Sequence, residues 1–149
     1  MILQNNQINI IGKVFSGFTF SHEVQSEKFY LMQIQVMRLS NAFDLLPVMV
    51  SDKLLDVSKS LEGQWLQIIG QIRSYNMHDS QTTKLIISIF ANEIYYVKSD
   101  NNESNTVILE GYVCKKPTYR QTPLGREISD IILATNRPYG KSDYIPCIC

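Results

Sequence analysis

The 149-residue sequence predicts an all-β protein: a five-stranded barrel with one short helix, followed by a partial second copy of the same module. Two observations carry this reading. Five runs of alternating apolar and polar residues are separated by turn-forming stretches, with one helix-like segment between the third and fourth. The chain also repeats itself at a constant offset of 99 residues.

The first run, INIIGKVF (8–15), alternates as a half-buried strand should. A polar loop, SHEVQSEK (21–28), leads to the second, FYLMQIQVMRL (29–39). DLLPVMVS (44–51) is the third, and Pro47, with no N–H to donate, suggests an edge position. SDKLLDVSKSL (51–61) reads as the helix: Ser51 or Asp52 can cap it, and Leu54, Leu55 and Val57 supply a short apolar face. QWLQIIGQIRSY (64–75) and KLIISIFANEIYYV (84–97) are the fourth and fifth strands, preceded by EGQ and NMHDSQTT as turns. The order β-β-β-α-β-β is that of an OB-fold barrel, which takes oligonucleotides on the face of strands two and three and with its loops. Gly12 and Gly70 lie inside strands, where a small residue permits the bending that closure needs.

With the offset of 99, NQINIIGKV (6–14) falls on NTVILEGYV (105–113), and LPVMV (46–50) on IPCIC (145–149). Asn6, Gly12, Val14, Thr19, Arg38, Asp44 and Pro47 meet identical residues at 105, 111, 113, 118, 137, 143 and 146. Ile8, Ile10 and Ile34 meet Val107, Leu109 and Leu133, so the apolar pattern repeats too. The expected organisation is one OB module over 1–97, a polar flexible linker over 98–104, and a partial second module over 105–149 with three strands. Cys149 matches Val50, in the middle of the first copy's third strand. The second copy is therefore expected to continue in a longer protein, to pair with another chain, or to be poorly ordered.

Formal net charge is zero, which weighs against a purely electrostatic nucleic-acid binder. The charge is uneven, however. Residues 1–97 hold 7 basic and 8 acidic groups, and residues 105–149 hold 6 basic and 4 acidic. Cys114, Cys147 and Cys149 show no CxxC spacing and read as small buried hydrophobes in a reducing cytoplasm. His22 and His78 lie in polar loops, so no zinc constellation and no cofactor is implied. No P-loop, HExxH, Ser-His-Asp or paired-carboxylate pattern points to an enzyme. No long apolar run follows Met1, and the expected location is the cytoplasm.

The second copy resembles the bacterial single-stranded DNA-binding protein family. The motifs are Asn105–Gly111, Pro117, Thr122 with Gly125, Leu133–Thr135 and Tyr144–Cys149, and the tandem forms are the most similar. The first copy shares only the stretch GQIRSY (70–75). This resemblance implies an OB-fold, coating of single-stranded DNA without sequence preference in replication, repair or recombination, no catalysis, and homo-oligomers. The family's Trp-Gly continuation and its acidic tail are missing from these residues, so partner recruitment through that tail is not carried over.

Sequence-tolerant binding needs aromatic faces for the bases and cations along the phosphates. The second copy interleaves them at Lys115, Lys116, Tyr119, Arg120, Arg126, Arg137, Tyr139 and Lys141. The first copy keeps Arg38, Arg73 and Tyr75, with Lys84 nearby, and is expected to be mainly architectural. Trp65 is a stacking ring or a core or dimer-interface residue. Tyr95 and Tyr96 are neighbours, so one is expected toward the core and one toward solvent, and an interface role is open as well. The alternative function is an OB protein-interaction module, a primosome or recombination accessory that meets replication or repair proteins.

Overall fold

The computed structural model describes residues 5–99 and 105–149. Most of the expected linker, 100–104, lies outside them. Eleven strands are present among the described residues: β1 (Asn6–Val14), β2 (Thr19–Val24), β3 (Glu27–Met37), β4 (Phe43–Ser51), β5 (Trp65–His78), β6 (Thr83–Val97), β7 (Thr106–Leu109), β8 (Tyr112–Val113), β9 (Thr118–Gln121), β10 (Glu127–Asn136) and β11 (Ser142–Ile148). The one helical piece among them is a 3-10 turn at Pro138–Gly140. No helix among the described residues is long and apolar enough to cross a membrane.

Strand contacts divide the chain into two compact units. The first comprises Gln7–Ile72 and Ser88–Val107. The second comprises Arg73–Ile87, Ile108–Cys149 and the start of β1.

In the first unit β1 pairs with β5 over Ile8–Lys13 and with β3 over Lys13–Val14. This double pairing closes the ring β1–β3–β4–β6–β5, an OB barrel. Alternation puts Ile8, Ile10, Met32, Ile34, Leu66 and Ile68 inside, where all are buried. Gly12 sits where β1 changes partner, and a Cβ there would meet the Gln35 carbonyl oxygen at 3.0 Å. Gly70 is tighter: its Cβ would lie 2.0 Å from the Phe90 carbonyl oxygen, so the residue sets how closely β5 and β6 approach.

Three local expectations are corrected. The polar loop at 21–28 is largely strand, because β2 forms a hairpin with β3 around Gln25 and Ser26, both at positive φ. Pro47 is not on an edge strand, since β4 lies between β3 and β6. Its pairing with β6 begins one residue later, at Val48 and Ile89, so the missing N–H falls before the second neighbour arrives. Residues 51–61 form successive turns rather than a helix. Asp56 Oδ1 accepts from the Ser58 N–H at 3.1 Å and from its hydroxyl at 2.5 Å, bonds that compete with helical pairing. The apolar residues of that segment still serve, with Leu55 buried and Leu54 and Leu61 packed against the core.

The offset of 99 survives in three dimensions. The β3–β4 pairing Ile34↔Leu46 reappears as Leu133↔Ile145, and Val14↔Ile34 as Val113↔Leu133. The bond from the Phe15 N–H to the Gln33 carbonyl (2.9 Å) recurs from Cys114 to Ile132 (3.2 Å).

Gly70→Ala should lower barrel stability by about 1–3 kcal/mol, since β5 and β6 must part to admit the methyl group. Gly17→Ala, where a Cβ meets nothing within 4 Å, should leave the urea midpoint near that of the parent. Equilibrium urea unfolding checks both.

Candidate nucleic-acid interface

Two aromatic groups line the β2–β3 hairpin of the first unit. Phe20 packs edge-on to Tyr30 at 5.7 Å, and Phe18 meets the same ring at 6.5 Å. His22 stacks flat on Phe29 with ring centres 4.8 Å apart, and Phe29 continues to Phe90 at 5.8 Å. A bulge between Phe20 and His22 separates the groups. It pairs Phe20 with Tyr30 but His22 with Phe29, and adjacent residues of β3 face opposite ways. Phe20 and His22 are exposed. Sequence reasoning missed both groups. The signal for them was F-x-F at 18–20 followed by F-Y at 29–30, with a turn between.

His22 and His78 are not in loops: the first lies in β2, and the second ends β5 with its Nδ1 3.2 Å from Thr83 Oγ1. Trp65 opens β5 and is half-buried. Tyr95 and Tyr96 are both exposed, and the Tyr95 hydroxyl donates to Glu93 Oε2 at 3.2 Å. That bond and the charge of Glu93 raise the Tyr95 phenol above its usual range.

Three of the five arginines singled out from the sequence, Arg38, Arg120 and Arg137, are tied to aspartates. Arg38 Nε donates to Asp44 Oδ2 at 2.7 Å, and its Nη2 to Oδ1. Arg120 Nε reaches Asp130 Oδ2 at 2.5 Å, a bond that raises the guanidinium and lowers the carboxyl from their ordinary values. Arg137 Nε donates to Asp143 Oδ2 at 2.7 Å, the same fork as Arg38–Asp44 shifted by 99 residues.

The two forks differ in their surroundings. Asp44 and Arg38 are open to solvent, whereas Asp143 is 1% exposed. Ser74, in the part of β5 that belongs to the second unit, covers the second fork. Its N–H donates to Asp143 Oδ1 at 2.8 Å, its carbonyl accepts from Arg137 Nη2 at 3.4 Å, and its hydroxyl accepts from the Tyr144 N–H at 2.7 Å. Arg73 is half-buried beside it, and desolvation, then the charge of Arg137, hold its guanidinium below the ordinary value.

Lys115 and Lys116, between β8 and β9, are exposed, as are Arg126 and Lys141. Tyr119 stands on β9 with its hydroxyl on Glu127 Oε1 at 2.9 Å, which raises the phenol. Tyr139 holds φ 72° in the 3-10 turn and is fully exposed. Tyr75 is exposed on β5. Lys115, Lys116, Tyr119, Arg120, Arg126, Arg137, Tyr139, Lys141, Arg73 and Tyr75 thus all lie in the second unit, and Arg38 in the first.

No protein-family model and no curated protein matches the sequence. Solved structures do. The N-terminal domain of PriB from Thermoanaerobacter tencongensis, solved as a dimer, is 39% identical over 64% of this chain and 100% of its own, with a TM-score of 0.55. The chain belongs to the family of this PriB domain. The fold extends to the single-stranded DNA-binding protein of Thermus aquaticus, with a TM-score of 0.71 and 18% identity over 96% of this chain and 72% of that one. The Plasmodium falciparum SSB, in a complex with ssDNA, matches 66% of this chain and 99% of its own at 17% identity and a TM-score of 0.51. These structures share the OB barrel fold described above.

Asp143→Asn should destabilise the second unit by roughly 3 kcal/mol, because it leaves a half-buried guanidinium without its counter-charge. Asp44→Asn, in the same fork but in solvent, should leave stability almost unchanged. Amide exchange along β10–β11 and along β3–β4 reads the two effects separately.

Proposed function

We propose that the protein binds single-stranded DNA without strong sequence preference, in replication, repair or recombination. The observation that carries this is the same hairpin in both copies, edged by exposed rings and cations. In the first copy β2–β3 presents Phe20 and the His22–Phe29 stack. In the second, β9–β10 presents Tyr119 and Arg120, with Lys115 and Lys116 just before it. Flat rings accept any base by stacking, and the exposed ammonium groups neutralise phosphates, so neither contact reads sequence.

The division of labour differs from the sequence expectation. Arg38, Arg120 and Arg137 are already paired with aspartates, so the lysines, Arg126 and the rings carry the binding in this proposal. The first copy supplies stacking and the second supplies most of the charge. The dimer formed by the PriB domain supports a homo-oligomer here, and the organisation into a module, a linker and a partial tandem module belongs to the same proposal.

The pairing of those arginines also favours a second reading, an OB module that binds replication or repair proteins. Anisotropy titration with fluorescein-labelled oligo-dT at two salt concentrations separates them. Salt-sensitive binding is expected, with Phe20→Ala weakening it about tenfold. Lys115→Glu with Lys116→Glu should flatten the plot of log affinity against log salt by about 0.7 in slope for each phosphate no longer neutralised. No salt-dependent binding by the intact chain would sink the proposal and leave the protein-binding reading.

A further inference from the structure

His22 stands on β2 with its imidazole flat on Phe29, the ring planes 10° apart and the centres 4.8 Å apart. Phe29 in turn rests on Phe90 of β6, which steadies the stack from below. Ser21 Oγ lies 2.9 Å from Nδ1 and holds one edge of the imidazole. The residue is exposed, so the outer face of the ring and its Nε2 edge are open to a ligand.

A histidine in this place is more than another flat ring. It is the side chain that gains a charge between about pH 8 and about pH 5.5. The stack tolerates that charge, because a benzene face attracts a cation laid over it. The hydrogen bonding tolerates it too. With both nitrogens protonated, Nδ1–H donates to Ser21 Oγ, and Nε2–H is left as a charged donor.

The charged groups around His22 are engaged elsewhere. Glu23 pairs in register with Lys28, and alternation turns both to the opposite face. Glu27, on the same face as Phe29, accepts from Ser51 and meets Lys53 at 3.5 Å. The Ser51 bond holds the Glu27 carboxyl below its ordinary value, so it stays charged over the whole range. Asp52, after β4, gives its N–H to the Lys28 carbonyl. On β6 the neighbours of Phe90 are the uncharged Ile89 and Ala91.

We propose that His22 makes the first copy's contact with single-stranded DNA proton-dependent: a base stacks on the open face of the imidazolium, and Nε2–H donates to a phosphate oxygen of the same strand. This rests on the single-stranded DNA reading above. β2 itself holds no lysine or arginine, so the proton supplies the cation that its stacking surface lacks. Proton and DNA then favour each other's binding by the same factor.

The test reads the anisotropy of rhodamine-labelled oligo-dT with the intact chain at about pH 8 and about pH 5.5, at constant ionic strength. Neither thymine nor a phosphodiester changes charge between these values. Cys114 and Cys149, expected to be buried, are exposed, and a reductant keeps thiols from joining copies. Affinity should rise about fivefold at the lower pH, and the salt slope should steepen by about 0.7. His22→Phe keeps a flat ring with no proton to gain, and should bind equally at both values. His78→Gln should keep the parent's ratio. A second measurement needs no variant: the midpoint of the His22 ring titration, followed by NMR, should move to higher pH when oligo-dT is added. A parent ratio near one, a ratio that survives in His22→Phe, or an unmoved midpoint overturns the proposal and leaves the single-stranded DNA reading standing. Absence of binding at both pH values overturns that reading, and this inference with it.

Discussion

The structure depends on one strand making two sets of hydrogen bonds. β1 pairs with β5 along most of its length and transfers to β3 at Lys13 and Val14. Without that transfer the five strands would be an open sheet with two raw edges, and Ile8, Ile10 and Ile34 would not converge on one interior. Gly12 sits at the point of transfer, where the next strand's carbonyl comes close. Closure in turn fixes which side of β2, β3 and β4 faces water, and so creates the surface on which Phe29 and His22 stack.

The second copy shows what the same residue pattern does without full closure. Its strands keep the register of the first, down to the Arg–Asp fork at the start of the third long strand. Its inner face, however, holds few buried apolar side chains, with Ile145 the clearest. Local pairing is therefore encoded within each hairpin, and burial is supplied by what packs against it. The Ser74 contacts illustrate this: a hydroxyl and a peptide group from β5 convert a surface ion pair into a buried one.

Much of this was legible in the sequence, and the failures have physical causes. The repeat anticipated the Arg38–Arg137 and Asp44–Asp143 equivalences and the strand character of 142–148, whereas β2 and β9 were read as loops. What periodicity could not supply was long-range. No local pattern announces that Ser74 meets Asp143, 69 residues away. Nor does it show that the Arg120 charge is taken up by Asp130. The turns at 51–61 were missed because apolar spacing was weighed above the Asp56–Ser58 bonds that break a helix. The two aromatic groups were missed because a strand's two faces cannot be counted through an unseen bulge.

That bulge makes the sequence alignment and the spatial alignment disagree by one residue. At the offset of 99, Arg120 aligns with Ser21. In the sheets, Arg120 stands opposite Ile128, and its spatial counterpart opposite Phe29 is His22. The bulge thus places His22 in the column that Arg120 holds in the second hairpin. His22 stacks on Phe29 in the first hairpin, whereas Arg120 in the matching place turns its guanidinium to Asp130. Descent by letter and equivalence by place are separate relations in a pleated sheet, and one slipped residue is enough to make them differ.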